Sequence, residues 1–249
     1  MTPNDGAETV TGPGTLTNDA RIRINALDNV FFALSDQIAV QDTLPPAVSC
    51  PSDVTAECTG NNGIEKTDSQ LEAFFSGASA TDLCDASVPD PTDDAPSFLP
   101  LGDTPVTFSS TDASGNTGSC AATVSVVDTT PPTISVSVTP DSLFPAPKHT
   151  VRWITATVIA EDTCDPNPTI ELVSITSNEP ENGLGDGDTA PDIEGADYGT
   201  EDYEFSLRAE RSGTGSGRIY TITYQVTDGS GNTTSAEATV TVSKSARKP

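Results

Sequence analysis

Three short phrases occur twice in this chain, and both times in the same order. The pairs are residues 39–48 (AVQDTLPPAV) with 126–134 (VVDTTPPTI), 80–85 (ATDLCD) with 160–165 (AEDTCD), and 111–117 (TDASGNT) with 227–233 (TDGSGNT). Phrases that recur in a fixed order indicate a tandem array of small domains. They also place Asp and Asn near the predicted junction between those domains, where a hard cation could bind.

The spacing of these phrases predicts the domain boundaries. Residues 43–128 form the first repeat and residues 129–243 the second, with an extension over 1–42 and a tail over 244–249. Each repeat has the usual size of a domain and can bury its own core. Val and Thr are plentiful, Leu is sparse, and 19 Gly and 20 Pro supply turns. We therefore predict an all-β protein with two tandem immunoglobulin-like β-sandwiches, joined by an Asp-Thr-Thr-Pro-Pro linker.

The chain is strongly acidic, with 37 Asp and Glu against 11 Lys and Arg and a net charge of −26. This balance argues against nucleic acid and anionic membranes as partners, because both require clustered basic residues. No apolar run approaches the roughly 20 residues of a membrane span, and the N-terminus shows no signal peptide. The carboxylates either form a solvated surface or bind divalent cations, and the composition leaves both open.

Four of the five cysteines lie in the first repeat, namely Cys50, Cys58, Cys84 and Cys120. An even set within one repeat indicates disulfides and an oxidising compartment. Of the three possible pairings we favour Cys50–Cys120 and Cys58–Cys84, because Cys50 and Cys120 lie on strands that neighbour each other in a sandwich. Cys164 is then left over, either buried and inert or paired between chains.

Several phrases resemble the hyalin-repeat (HYR) group of immunoglobulin-like domains. The first repeat carries them at residues 50–58 (CPSDVTAEC), 80–84 and 111–116, the last followed by Cys120. The second repeat, with residues 165–168, 185–188 and 208–213, looks like a divergent bacterial relative without the cysteine pairs. The resemblance covers about residues 43–243. It implies an extracellular adhesive or structural role and no catalysis.

Calcium is the predicted cofactor, because Ca²⁺ takes six to eight oxygen ligands from carboxylates, carbonyls and Asn side chains. Cadherin-like arrays, which this chain resembles, hold cations with similar Asp-rich phrases. The competing interpretation is that Asp-x-x-Gly-Asn is simply a favourable turn, and that the 185–192 loop is solvated. The candidate ligands are Asp42, Asp82, Asp85, Asp112, Asn116, Asp128, Asp162, Asp165, Asp186, Asp188, Asp192, Asp228 and Asn232.

An enzyme is not expected. The one histidine, His149, has the setting of a surface turn residue, and no nucleophile elbow, zinc-protease motif or phosphate loop is present. Trp153 lies among apolar residues and is expected in the core rather than as a platform for sugars. The alternative function is a carbohydrate- or protein-binding accessory module of a larger secreted protein, although aromatic residues make up only 5% of the chain.

Residues 20–41 are too apolar to remain in water and too few to form a domain. Their pattern fits a half-buried strand, although one helical face also fits. The segment either adds a strand to another subunit, giving head-to-tail filaments, or packs back on its own domain. We predict an extracellular structural or adhesive surface or filament subunit whose partners are its own copies or other surface proteins. The residues expected to mediate self-association are Ile22, Ile24, Val30, Phe31, Leu34 and Ile38.

Overall fold

The computed structural model describes four short strands within residues 17–40 and, beyond them, residues 41–145, 150–182 and 190–243. The chain divides into two compact units. Unit 1 consists of Met1–Ala56 with Glu65–Val126, and unit 2 of Glu57–Ile64 with Val127–Pro249. Residues 57–64, here called the 57–64 segment, thus belong by sequence to the first repeat but by contacts to unit 2.

The described residues of the N-terminal extension form four short strands. They are β1 (Thr17–Ala20), β2 (Arg23–Asn25), β3 (Phe32–Leu34) and β4 (Ile38–Val40). Strand β1 pairs antiparallel with β4, and β2 pairs antiparallel with β3. Of the residues predicted to mediate self-association, Ile24, Leu34 and Ile38 lie in these strands, whereas Ile22, Val30 and Phe31 lie outside the described residues.

The remainder of unit 1 is a small β-sandwich with one short helix. A four-stranded sheet has the order β6-β12-β11-β9, and β5 pairs with β8. On the central hairpin β11–β12, alternate residues such as Val106, Phe108 and Val124 are buried, as period-2 alternation requires. Most of β7 lies in the 57–64 segment and therefore in unit 2. The elements of the first repeat are β5 (Ala47–Ser49), β6 (Val54–Glu57), β7 (Gly63–Glu65), α1 (Glu72–Ser76), β8 (Ser79–Thr81), β9 (Thr92–Asp93), β10 (Phe98–Pro100), β11 (Gly102–Thr111) and β12 (Thr117–Val127).

The helix begins later than the sequence predicts. Thr67 and Asp68 are of residue types that cap helices and Gly77 is of the type that ends them, so the sequence favours a helix between these positions. Asp68 instead accepts a hydrogen bond at 2.9 Å from the backbone N–H of Gln70, so it caps a turn before the helix. The helix itself runs over Glu72–Ser76, with Leu71 as its N-cap residue and Gly77 as its C-cap.

Unit 2 is a sandwich of two four-stranded sheets, ordered β13-β15-β18-β17 and β14-β20-β19-β16. Ile154 and Phe205 from one sheet and Leu172 and Tyr220 from the other meet in a common core. The predicted all-β class built from sandwiches is therefore confirmed. The strands are β13 (Thr133–Thr139), β14 (Ser142–Leu143), β15 (Val151–Glu161), β16 (Thr169–Ser177), β17 (Ile193–Glu194), β18 (Glu204–Arg208), β19 (Arg218–Thr227) and β20 (Thr233–Val242).

Trp153 is not in the core, contrary to the sequence-based expectation. Its neighbours Ile154 and Ala156 take the inward positions of β15, so Trp153 points outward and is 71% exposed. Successive side chains in a strand alternate between faces, and a run of apolar residues does not reveal which face is inward.

One predicted disulfide is present and the other is wrong. Cys50 is bonded to Cys120, as predicted, whereas Cys58 is bonded to Cys164 and Cys84 is a free thiol. The cause is that the 57–64 segment packs within unit 2. The backbone N–H of Cys58 donates to the carbonyl of Val127 at 2.7 Å, which directs the side chain toward Cys164.

Within the described residues, none of the helices combines the length and the apolar character that crossing a bilayer requires.

Candidate metal centres

The ends of three strands bring three aspartates together in unit 2. Asp128 follows β12, Asp162 follows β15 and Asp228 follows β19, and one carboxylate oxygen from each lies within 4.8 Å of the other two. We call this group cluster 2. The sequence analysis selected all three residues but could not determine that they converge.

Cluster 1 is the corresponding group in unit 1 and consists of Asp42, Asp82 and Cys84, whose ligand atoms also lie within 4.8 Å of one another. Asp42 follows β4 and is only 8% exposed. Its Oδ1 accepts a hydrogen bond from the Leu44 N–H at 3.1 Å, while its buried Oδ2 has no hydrogen-bond partner among the described residues. A buried, unpaired carboxylate oxygen is costly without a compensating donor or cation.

The aspartate after β8 and its counterpart after β15 make the same hydrogen bonds. Asp82 Oδ1 accepts from the backbone N–H groups of Cys84 and Asp85 at 2.7 and 3.0 Å. Asp162 Oδ1 accepts equivalently from Cys164 and Asp165 at 2.8 and 2.7 Å. In both units this arrangement stabilises the turn and fixes the position of the carboxylate that belongs to the cluster.

Asp85 and Asp165 join that turn to the Asp-x-x-Gly-Asn loop. Each uses one oxygen for a local backbone N–H and the other for the N–H of Ala113 or Gly229, at 3.0 and 2.8 Å. Both oxygens therefore already serve as hydrogen-bond acceptors. In the structure Asp85 and Asp165 hold two loops together, and neither belongs to cluster 1 or cluster 2, so their assignment as calcium ligands stays a prediction.

The Asp-x-x-Gly-Asn loops are also equivalent. Asn116 donates from its side-chain Nδ2 to Asp112 at 2.8 Å and to the carbonyl of Asp42 at 3.3 Å. Asn232 donates to Asp228 at 2.8 Å and to the carbonyl of Asp128 at 3.2 Å. Each asparagine thus connects its own loop to the strand that enters the unit, so its observed role is that of a donor.

These contacts shift the pKa values of the aspartates in opposite directions. Burial, with the charges of Asp162 and Asp228 nearby, raises the pKa of Asp128. Burial also acts on Asp112 and Asp228, but hydrogen bonds from Asn116, Asn232 and backbone N–H groups outweigh it, so their pKa values are lowered. Cluster 2 therefore contains one carboxylate whose charge is disfavoured and one whose charge is stabilised, and a bound cation would relieve the first.

Asp192 lies in an arginine environment. It is 4% exposed and forms ion pairs with Arg218 and, at 3.7 Å, with Arg208. Two guanidinium groups thus lie where a cation would otherwise balance this carboxylate, and its assignment as a calcium ligand stays a prediction. Asp186 and Asp188 of the same loop lie outside the described residues.

The sequence analysis missed the two arginines, although a signal was present. Arg218 precedes Tyr220, Ile222, Tyr224 and Val226 at two-residue steps, the spacing of one strand face. All five are fully buried. A basic residue on the same strand face as a row of core residues indicates a buried carboxylate partner, because an isolated buried charge is too costly.

Comparison with known proteins finds the family for the first repeat. Residues 41–126 match the family model described as "HYR domain", which confirms the resemblance for that part of the chain. Hyalin of Strongylocentrotus purpuratus is 32% identical over 114 residues, covering 45% of this chain and 9% of hyalin. Sushi, von Willebrand factor type A, EGF and pentraxin domain-containing protein 1 of Rattus norvegicus is 28% identical over 114 residues, covering 45% of this chain and 3% of that protein. The chain thus spans less than a tenth of the length of either relative.

Solved structures give only weak similarity. The fibronectin(III)-like modules of Clostridium thermocellum CbhA match with 13% identity and a TM-score of 0.25, covering 79% of this chain and 93% of that one. Cadherin domains 3–6 of protocadherin gamma B2 match with 12% identity and a TM-score of 0.31, covering 80% of this chain and 47% of that one. At these TM-scores the likeness carries no inference about this chain.

Proposed function

We propose that this chain is part of an extracellular structural or adhesive protein whose β-sandwich repeats are stabilised by Ca²⁺. The match of residues 41–126 to the HYR domain supports the structural role, and two disulfides fit an oxidising compartment. A net charge of −26 adds a general reason for cations, since such a chain repels itself in the compact state.

Cluster 2 is the observation that carries the calcium proposal. Three carboxylate oxygens within 4.8 Å form an all-oxygen set of the kind that Ca²⁺ prefers. Burial and the charges of Asp162 and Asp228 raise the pKa of Asp128, which supports the proposal because a cation would favour the charged form of this carboxylate. Backbone carbonyls and water would complete the coordination of a bound ion.

Cluster 1 is expected to bind calcium more weakly. It offers the oxygens of Asp42 and Asp82, but its third member is the sulfur of Cys84. Sulfur is a soft ligand and Ca²⁺ is a hard cation, so the thiol would contribute little.

Thermal unfolding of the whole chain in Ca²⁺, Mg²⁺ and EDTA tests the proposal. A ligand that binds the native state raises stability by about 2.7 kcal/mol at a concentration 100 times its Kd. We expect Ca²⁺ to raise the Tm of unit 2 and Asp162→Asn to abolish that rise. Asp141→Asn is the matched control, because Asp141 is an exposed aspartate of the same unit and lies outside the cluster. Identical melting in Ca²⁺ and EDTA would refute the calcium claim.

Self-association through residues 20–41 is a second element of the proposal. The extension pairs its strands with one another, and short two-stranded ribbons are marginally stable without further packing. Sedimentation velocity should show multimers of the full chain that are lost when residues 1–41 are removed. Multimers that persist unchanged after truncation would refute this element.

One observation favours the carbohydrate-binding alternative. Trp153 is 71% exposed on the outer face of β15, as a platform for stacking on a sugar ring would be. Binding to a glycan array that is lost in Trp153→Ala and kept in Ile159→Ala would support it, since Ile159 is also exposed on that strand. Absence of binding by the unmodified chain would exclude it.

A further inference from the structure

Cys84 and Cys164 occupy the same position in the two repeats, but only one of them is bonded. Each follows the aspartate of its cluster by two residues and donates its N–H to that carboxylate, at 2.7 and 2.8 Å. Cys164 is 1% exposed and bonded to Cys58, whereas Cys84 is a half-buried free thiol. Unit 1 therefore carries one half of a contact that unit 2 shows complete.

In unit 2 that contact is made by the 57–64 segment. The N–H of Cys58 donates to the Val127 carbonyl, and the N–H of Asn62 donates to the Cys164 carbonyl, both at 2.7 Å. The Glu57 carboxylate accepts from the N–H and the hydroxyl of Thr129 at 2.7 and 3.0 Å. A backbone hairpin, a carboxylate and a disulfide thus act together on one surface.

The corresponding surface in unit 1 exposes two leucines. Alignment on the repeated Asp-Thr phrase places Thr43 opposite Thr129 and Leu44 opposite Thr130. Leu44 and Leu83 are 54% and 87% exposed, and with Pro45 they line a groove of about 370 Å³. Asp82 of cluster 1 also lines this groove, and the ligand atoms of Asp42 and Cys84 lie within 4.8 Å of its carboxylate.

Strand β4 adds an independent indication. The same alignment places β4 opposite the end of β12, which has β11 on one side and β6 on the other. Strand β4 pairs with β1 in a two-stranded sheet, so among the described residues its second edge carries no strand. An open edge can receive a strand from another chain through main-chain hydrogen bonds.

We propose that β4 and Cys84 together form a docking site for a strand and cysteine resembling Val54–Ile64, supplied by a hyalin-type repeat of another polypeptide. The strand would extend the β1–β4 sheet, and its cysteine would bond to Cys84 as Cys58 bonds to Cys164. This inference deepens the structural role proposed above and rests on it, but it does not require calcium.

The disulfide forms by a balanced reaction. The two thiols give up two electrons and two protons to a disulfide-bearing oxidant, which is reduced to two thiols. The Cys84 thiol is half-buried. A partner cysteine that is held beside it by docking therefore reacts at a higher effective concentration than a free thiol in solution.

A peptide copying residues 54–64, with its cysteine activated as a 2-thiopyridyl disulfide, tests the proposal on the full chain. The Cys84 thiolate attacks the peptide sulfur, and pyridine-2-thione leaves with the electron pair, which gives an optical signal. We expect reaction at least about tenfold faster than with a scrambled peptide, because docking raises the effective concentration. Cys84→Ala should give no adduct, and its unchanged melting would show that it folds.

Two further peptides test strand addition. One carries an N-methyl group at the position of Thr55 and the other at the position of Ala56. Alternate N–H groups in a strand face opposite edges, so one of the two should lose the rate advantage and the other should keep it.

The outcomes are decisive in either direction. Equal rates for the native and scrambled peptides, or a Cys84–Cys84 dimer forming as fast as the peptide adduct, would overturn the proposal. All rates are measured in EDTA and in Ca²⁺. If the native peptide reacts no faster than the scrambled one while Ca²⁺ still raises the Tm, docking is refuted and the calcium proposal stands. If the native peptide reacts faster but Ca²⁺ does not raise the Tm, the calcium proposal is refuted and docking stands.

Discussion

Unit 1 and unit 2 use the same hydrogen-bonded frame around their Asp clusters but differ in how that frame is closed. In unit 2 Cys164 is buried and cross-linked to Cys58. In unit 1 Cys84 is free, beside an open groove lined by Leu44 and Leu83. The frame is thus a property of each repeat, whereas closure depends on a segment that lies far away in sequence. A cysteine in nearly identical sequence phrases can therefore be bonded in one repeat and free in the other.

Loss of the buried arginine should give the largest difference between the units. Arg218→Met leaves the buried Asp192 with Arg208, at 3.7 Å, and without its closer partner, and removing one partner of a buried pair typically costs about 3–5 kcal/mol. Lys66→Met is the control in unit 1, where the partly exposed pair with Asp93 is worth at most about 1 kcal/mol. Chemical denaturation followed by amide hydrogen exchange should assign the loss to unit 2. Equal losses in both variants would contradict this.

Removing the cross-link tests whether closure stabilises unit 2. The bond between Cys58 and Cys164 spans 106 residues, and loss of a native disulfide typically costs about 2–5 kcal/mol. We expect Cys58→Ala with Cys164→Ala to lower the free energy of unfolding by that amount. Cys84→Ala removes a thiol without a bond and should change it by less than about 1 kcal/mol. A larger effect of Cys84→Ala would show that its thiol supports the fold by itself.

The asparagines test whether the two frames are energetically equal. Asn116→Ala and Asn232→Ala each remove two side-chain hydrogen bonds with matching partners. We expect each variant to lose about 1–2 kcal/mol in its own unit, at about 1 kcal/mol per hydrogen bond. Urea denaturation of the two variants provides the measurement. A difference greater than about 1 kcal/mol would mean that hydrogen-bond geometry alone does not define the frame.

The smallest expected effect is a difference in how stability depends on pH between Asp128 and the loop aspartates Asp112 and Asp228. Asp112 and Asp228 have lowered pKa values in the folded state, so their contribution is present above the unfolded value of about 3.9 and is lost as pH falls through the folded values. Asp128 has a raised pKa, so its contribution is present at low pH and is lost as pH rises through the folded value.

In EDTA at neutral pH, Asp128→Asn should therefore be slightly more stable than the unmodified chain, and the gain should disappear in acid. The matched control is Asp141→Asn, which removes an exposed aspartate and should show no such pH dependence. Melting curves recorded across the acid range provide the measurement. A destabilised Asp128→Asn in EDTA would show that its carboxylate does not carry a burial penalty.

The local features could be predicted from sequence because they depend on neighbouring residues. Alternation of apolar and polar residues predicts strand β13, and the Asp-x-x-Gly-Asn phrase predicts the turns that join β11 to β12 and β19 to β20. Gly115 and Gly231 have φ values of 89° and 92° in these turns, where glycine avoids the strain that a side chain would bring. The Cys50–Cys120 bond followed from the expected adjacency of two strands.

The tertiary structure decided which distant groups meet. Sequence did not reveal that the 57–64 segment joins unit 2, that Cys58 therefore bonds Cys164, or that Trp153 faces outward. It also did not distinguish aspartates that complete a cluster from those occupied by backbone N–H groups or arginines. Local propensity depends on residues a few positions apart, whereas each of these outcomes depends on packing between segments that are tens of residues apart in the chain.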